Sequence, residues 1–103
     1  MEQIERIQHY ERLLDRVAPV LGNLEEALDA FDGIQDDVKE LAAYYEDDDW
    51  REDFEADEAG KLPKDLKRGV LSEDGIYDVL SGHYALTIRL LDTVSTILKK
   101  DSP

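Results

Sequence analysis

Cysteine is absent, which excludes a disulfide framework, a thiolate nucleophile and a zinc ribbon. Histidine occurs only twice, as His9 and His83, and neither follows a glutamate by three residues, so the Glu-x-x-His pairs of a bundle di-metal site are missing. No apolar run approaches the ~20 residues that span a bilayer. The start, Met1-Glu2-Gln3-Ile4-Glu5-Arg6, has neither the basic region nor the apolar core of a targeting segment. A soluble cytoplasmic protein with no membrane contact is therefore expected. No segment alternates like a strand, and neither an internal repeat nor a flexible linker is visible. Basic residues are scarce, 12 against 26 acidic ones for a net charge of −14, a poor electrostatic footprint for direct nucleic-acid binding.

What is present suits one small folded domain, residues 1–103, with 42% hydrophobic residues and enough of them to build a core. The charge is uneven: residues 1–60 hold 20 acidic and 5 basic side chains, whereas 61–103 hold 6 and 7. The acidic half peaks between Glu46 and Glu58, with nine carboxylates and one arginine in thirteen residues. A basic knot follows at once, Lys61, Lys64, Lys67 and Arg68 opposed only by Asp65. With a Debye length of roughly 8 Å, these neighbouring segments attract one another.

From Ile7 to Tyr45 the apolar residues fall into three heptad columns, headed by Ile7, Tyr10 and Leu13, in which Gln35 is the single polar exception. Three adjacent columns make a stripe broad enough for two neighbouring helices. A long helix over about 2–46 is predicted, kinked near residues 15–19 by Pro19, or else broken there into two. Asp47, Asp48 and Asp49 suit an N-terminus, Trp50 and Phe54 form an i, i+4 pair, and Gly60 offers a stop, which predicts a short helix over about 48–59. The connector, 60–71, reads as a turn of helix with Pro63 at its start and Gly69 at its end, its Leu62, Leu66, Val70 and Leu71 tucked inward and its basic side chains in water. Ser72 caps a second long helix over about 73–100, with Glu73 and Asp74 at the positive end of its dipole, Lys99 and Lys100 at the other end, and a frayed Asp101-Ser102-Pro103. The expected fold is all-α: an antiparallel helical bundle whose two long helices are joined by a short acidic helix and a basic turn. The overhang of the first helix, at ~1.5 Å per residue, invites a homodimer through its apolar stripes, since copies carrying −14 each repel through their acidic faces.

The run Asp53-Phe54-Glu55-Ala56-Asp57-Glu58-Ala59-Gly60-Lys61-Leu62-Pro63-Lys64-Asp65-Leu66-Lys67-Arg68-Gly69-Val70-Leu71-Ser72-Glu73-Asp74 resembles the signature of the bacterial DUF4298 family. Tyr44, Tyr45, Trp50, Ile76, Tyr77 and Leu80 suit the same block. The resemblance implies a small, intracellular, helical bacterial protein of unknown function, with no catalytic residue, cofactor or partner to carry over. Gly75 departs from it, where a better helix former is expected.

The acidic run fails as a calcium loop: counted from Asp47, Arg51 and Glu52 stand where an oxygen ligand and glycine belong. His9 lies off the columns and is expected in solvent, whereas His83 lies within one and reads as an interior or boundary residue. The serines lack the setting of a nucleophile, and Gly60-Lys61 lacks the rest of a phosphate loop. No catalytic residue, cofactor site or metal ligand is assigned. Tyr44, Tyr45, Trp50, Phe54, Tyr77 and Tyr84 gather where the acidic helix is expected to meet the long ones. They read first as packing, and also as a partner surface, because Trp and Tyr are enriched in interface hot spots. The candidate partner-binding residues are thus Tyr44, Tyr45, Trp50, Phe54, Lys61, Lys64, Lys67, Arg68 and Tyr77, and the expected function is a non-enzymatic acidic protein–protein interaction module whose protein partner is unknown. Two alternatives stand beside it. One is an acidic nucleic-acid mimic or anti-defence regulator that binds a basic DNA-binding protein, since the acidic helix carries roughly one carboxylate per 2 Å against one charge per ~1.7 Å of duplex. The other is a bundle that binds a small molecule or divalent metal.

Overall fold

The computed structural model describes residues 2–101, and the side chains of residues 2–99. Among them are four α-helices and no strand: α1 (Gln3–Gly33), α2 (Gln35–Glu46), α3 (Asp48–Glu58) and α4 (Glu73–Asp101), with a 3-10 turn at Gly69–Leu71 before α4. The chain divides into two units, Met1–Asp37 and Val38–Pro103. The predicted fraying of Ser102 and Pro103 lies outside the described residues, and Asp101 closes α4.

In the first unit α1 runs through Pro19 without interruption, so the two-helix alternative at that proline is corrected. The single helix over 2–46 is corrected as well, because the break falls at Ile34. Gly33 weakens the last turn of α1, Ile34 closes it with an N–H to the Phe31 carbonyl at 3.3 Å, and the Gln35 side-chain amide donates to the same carbonyl at 2.8 Å. Gln35, the polar exception in the apolar columns, thus adds a second, shorter hydrogen bond to the carbonyl that the Ile34 N–H reaches at the helix end. Asp36 and Asp37 then lie in the first turn of α2, where carboxylates favour a helix N-terminus. His9, expected in solvent, is half-buried, with its ring edge-on to Tyr10 at 4.9 Å between centroids.

In the second unit Asp47 caps α3 by accepting the Asp48 N–H at 2.8 Å. The far end of α3 is a Schellman motif: Lys61 donates to the Ala56 carbonyl and Gly60 to that of Asp57, both at 3.0 Å, with Gly60 at φ 70°. That left-handed residue, cheap only for glycine, reverses the chain so that the connector returns along α3. The connector's helical turn is placed differently from expectation. Leu66 closes a turn on the Pro63 carbonyl at 3.2 Å, whereas the 3-10 turn begins at Gly69 and does not end there. Leu71 and Ile76 are buried, Leu62 is half-buried, and Leu66 and Val70 remain exposed, so only part of the expected apolar anchoring is realised.

Ser72 caps α4, accepting the Gly75 N–H on its hydroxyl at 3.3 Å. Gly75, a departure on helix propensity alone, is explained by space. A Cβ there would sit 3.2 Å from the Gly69 carbonyl oxygen and 3.4 Å from the Ser72 side chain, whereas one at Gly82 would meet nothing within 4 Å. Gly82→Ala is therefore expected to stabilise the chain by up to about 1 kcal/mol, and Gly75→Ala to lose that gain to crowding. Urea denaturation of the two variants checks the contrast.

Candidate functional site

The candidate residues that the structure brings together lie in the second unit, around the turn from α3 into the connector. Glu46 and Asp47 make a tight corner between α2 and α3, so side chains at the end of α2 face the first turns of α3. Tyr44 donates its hydroxyl to Asp53 at 2.6 Å. Tyr45 meets Trp50 edge-on at 4.9 Å, and Trp50 stacks on Phe54 at 5.1 Å with 18° between the rings. The Trp50 indole N–H donates to the Val70 carbonyl at 2.9 Å, which ties α3 to the 3-10 turn. Arg68 adds the second tie: one guanidinium nitrogen reaches Asp57 at 2.6 Å, and the other reaches the Pro63 and Lys64 carbonyls at 3.3 and 3.1 Å.

These contacts divide the candidates by what they are free to do. Trp50 and Arg68 have their donors engaged within the chain. Arg68 is half-buried, not in water as expected, while Lys61, Lys64 and Lys67 are exposed. Tyr77 is 57% exposed on α4, and the ring contacts among the described residues do not include it; Tyr84 is exposed too. The expected six-residue aromatic gathering is therefore Tyr45, Trp50 and Phe54, with Tyr44 beside them through its hydroxyl. His83 is half-buried on α4, the boundary position its column predicts. Three partners were missing from the sequence reading: Asp53, Asp57 and the Val70 carbonyl. Only the opposite charge of Asp57 and Arg68 hinted at any of them.

The corner borders a cavity of about 290 Å3, walled by Leu62, Leu66 and Leu71 and rimmed by Tyr44, Asp53 and Lys67. A second, of about 260 Å3, lies between Leu41, Val70, Ile76 and Val79. Among the described residues no cluster of three or more His, Asp or Glu is arranged to hold a metal ion, and no helix is long and apolar enough to cross a membrane.

Burial, with the Asp53 hydrogen bond and the charges of Asp53 and Asp49, pushes the Tyr44 phenol up to about 12 from 10.0. The folded state then holds its proton more tightly than the unfolded state does. The Tyr44 contribution to stability is present in full below about pH 10 and is lost as pH rises to about 12. Thermal unfolding across that window is expected to show the loss in the wild type and a smaller loss in Tyr44→Phe.

The elements and the site define an all-α, strongly acidic protein in which a short acidic helix is clamped to a basic connector. Residues 7–93 match the family described as "Domain of unknown function (DUF4298)", and the chain belongs to that family. No curated protein and no solved structure matches it.

Proposed function

We propose that the protein is a non-enzymatic protein–protein interaction module of the bacterial cytoplasm. The observation that carries this reading is α4. The 3-10 turn packs near Gly75 and Ile76 at its start, whereas Tyr84, Leu86, Leu91, Val94, Ile97 and Leu98 are all more than half exposed. At roughly 50–100 Å2 each these six residues amount to roughly 300–600 Å2, the size of the largest apolar patch on a monomer, which is often a contact surface, and their helical spacing suits another helix. The corner supports the same reading from the other side, because its polar groups are satisfied by one another, Tyr44 by Asp53 and Arg68 by Asp57. Lys61, Lys64 and Lys67 supply an exposed cationic rim for steering an acidic partner. In the assembled state α1 and α4 are read as antiparallel members of a bundle, a pairing supported by the heptad columns of both. The cysteine-free chain allows engineered cysteine pairs to test it directly.

The experiment is capture from a native-type bacterial host, with cross-linking, of the wild type, Leu91→Glu and the triple Lys61/Lys64/Lys67→Glu variant. A discrete partner, another protein or the chain itself, lost with Leu91→Glu is the expected result; no partner for the wild type refutes the reading. A second reading has one observation in its favour: of the nine carboxylates from Glu46 to Glu58, Asp57 alone is not exposed. That leaves an acidic surface able to mimic nucleic acid toward a basic DNA-binding protein. Competition with duplex DNA at low salt tests it, and no competition removes it.

A further inference from the structure

We propose that the long helices are completed by a second copy of this chain, with α1 and α4 of two protomers closing one four-helix bundle. The inference deepens the interaction-module reading and rests on it.

The long helices have more apolar surface than one chain has neighbours to cover. In α1 three adjacent heptad columns are apolar. In α4 the apolar residues span roughly 200° of the helix, from Val79 and Leu86 round to Tyr84, Leu91 and Ile88, at about 100° per residue. Each arc is wide enough for two neighbouring helices. At ~1.5 Å per residue, helices of 31 and 29 residues are about 46 and 43 Å long, whereas α2 and α3, of 12 and 11 residues, reach about 18 and 16 Å. A single chain therefore offers each long helix at most one neighbour of its own length. Two chains offer four long helices, and in a closed bundle each then has two.

Area agrees. Ten large apolar residues of α1 and nine of α4 are at least 36% exposed. At roughly 50–100 Å2 of apolar surface each, they amount to roughly 1,000–1,900 Å2 per chain. One of each helix's two neighbours lies in its own chain, so about half of that surface, roughly 500–950 Å2, falls between the chains, against about 800 Å2 per partner in a standard stable interface. Charge removes the objection that two acidic chains repel. Counting side chains, α1 carries −4 and α4 −2, whereas residues 34–60 carry −10. The helices that would meet are the least charged ones for their length, and the acidic α2 and α3 segments can remain in water outside the bundle.

Sedimentation velocity of the purified full chain from about 1 to 100 µM, with its Tm over the same range, tests the proposal. The expected species has twice the 11.8 kDa of one chain, with a Tm that rises with concentration. Leu91→Glu, which would bury a charge in the bundle, is expected to weaken the dimer by about a hundredfold or more, while Arg89→Glu on the polar arc leaves it intact. A wild-type monomer with a concentration-independent, cooperative Tm overturns the proposal, as does a trimer or larger species, or a Leu91→Glu dimer of unchanged affinity. Should Leu91→Glu fail to fold, the wild-type mass and Tm series still decides. A monomer that captures another protein through Leu91 overturns the second copy alone; one that captures nothing overturns the interaction reading too.

Discussion

Trp50→Ala is expected to cost about 2–4 kcal/mol, a large fraction of the roughly 5–15 kcal/mol that holds a domain of this size. The indole does three things at once: it stacks on Phe54, receives Tyr45 edge-on and donates to the Val70 carbonyl. Truncation removes both ring pairs, worth ~0.5–1.5 kcal/mol each beyond area burial, and leaves a backbone acceptor without its partner. Half-burial of the ring keeps the figure below that of a fully enclosed tryptophan. Trp50→Phe keeps a ring between Tyr45 and Phe54 but loses the donor and part of the indole's area, and is expected to cost less than the alanine variant, about 1–2 kcal/mol. Urea denaturation followed by circular dichroism gives both numbers. A Trp50→Ala variant within 0.5 kcal/mol of wild type would mean that the stack adds nothing to the fold and that Trp50 is free to serve a partner. The expected result makes Trp50 a poor probe of partner contact in its alanine form, because a lost interaction would follow from lost structure.

Arg68→Ala is the second large effect, expected at about 1.5–3 kcal/mol. Its guanidinium fork bonds the Asp57 carboxylate and two connector carbonyls, so one side chain holds the connector both to α3 and in its own turn. The pair is partly exposed, at 33% and 23%, and screening by water lowers its coulombic share; the two carbonyls are what raise the cost above that of an ordinary surface ion pair. Arg68→Lys is expected to recover less than half of it, because an ammonium cannot present the planar fork. Full rescue by lysine, measured by denaturation, would show that charge alone holds the connector.

The helices were legible because their signals are local and repeated: heptad columns for α1, α2 and α4, Asp47 before α3, Gly60 after it and Ser72 before α4. The break at Ile34 was hidden by the same columns, since Phe31 to Val38 and Ile34 to Leu41 keep the seven-residue spacing across it. What marks it is the Gln35 amide turning back to the Phe31 carbonyl, a contact that periodicity does not encode. The site was legible as a neighbourhood, Tyr44 to Arg68, but not as a division of labour. Trp50 and Arg68 have the composition of a contact surface, and chain reversal at Gly60 is what brings Val70 and Asp57 within their reach. Gly75 read as a helix defect until the Gly69 carbonyl beside it was placed, because propensity takes no account of the space a methyl would need.

The central claim is that the exposed apolar arc of α4 is an interaction face. Site-specific photo-cross-linking in living bacterial cells tests it most directly, with the photoreactive residue at Leu91 on the apolar arc and, separately, at Arg89 on the polar one. The account predicts one discrete cross-linked species from Leu91, with the chain itself or another protein, and none from Arg89. Equal cross-linking from both positions, or none from Leu91 while the protein is folded, would contradict it.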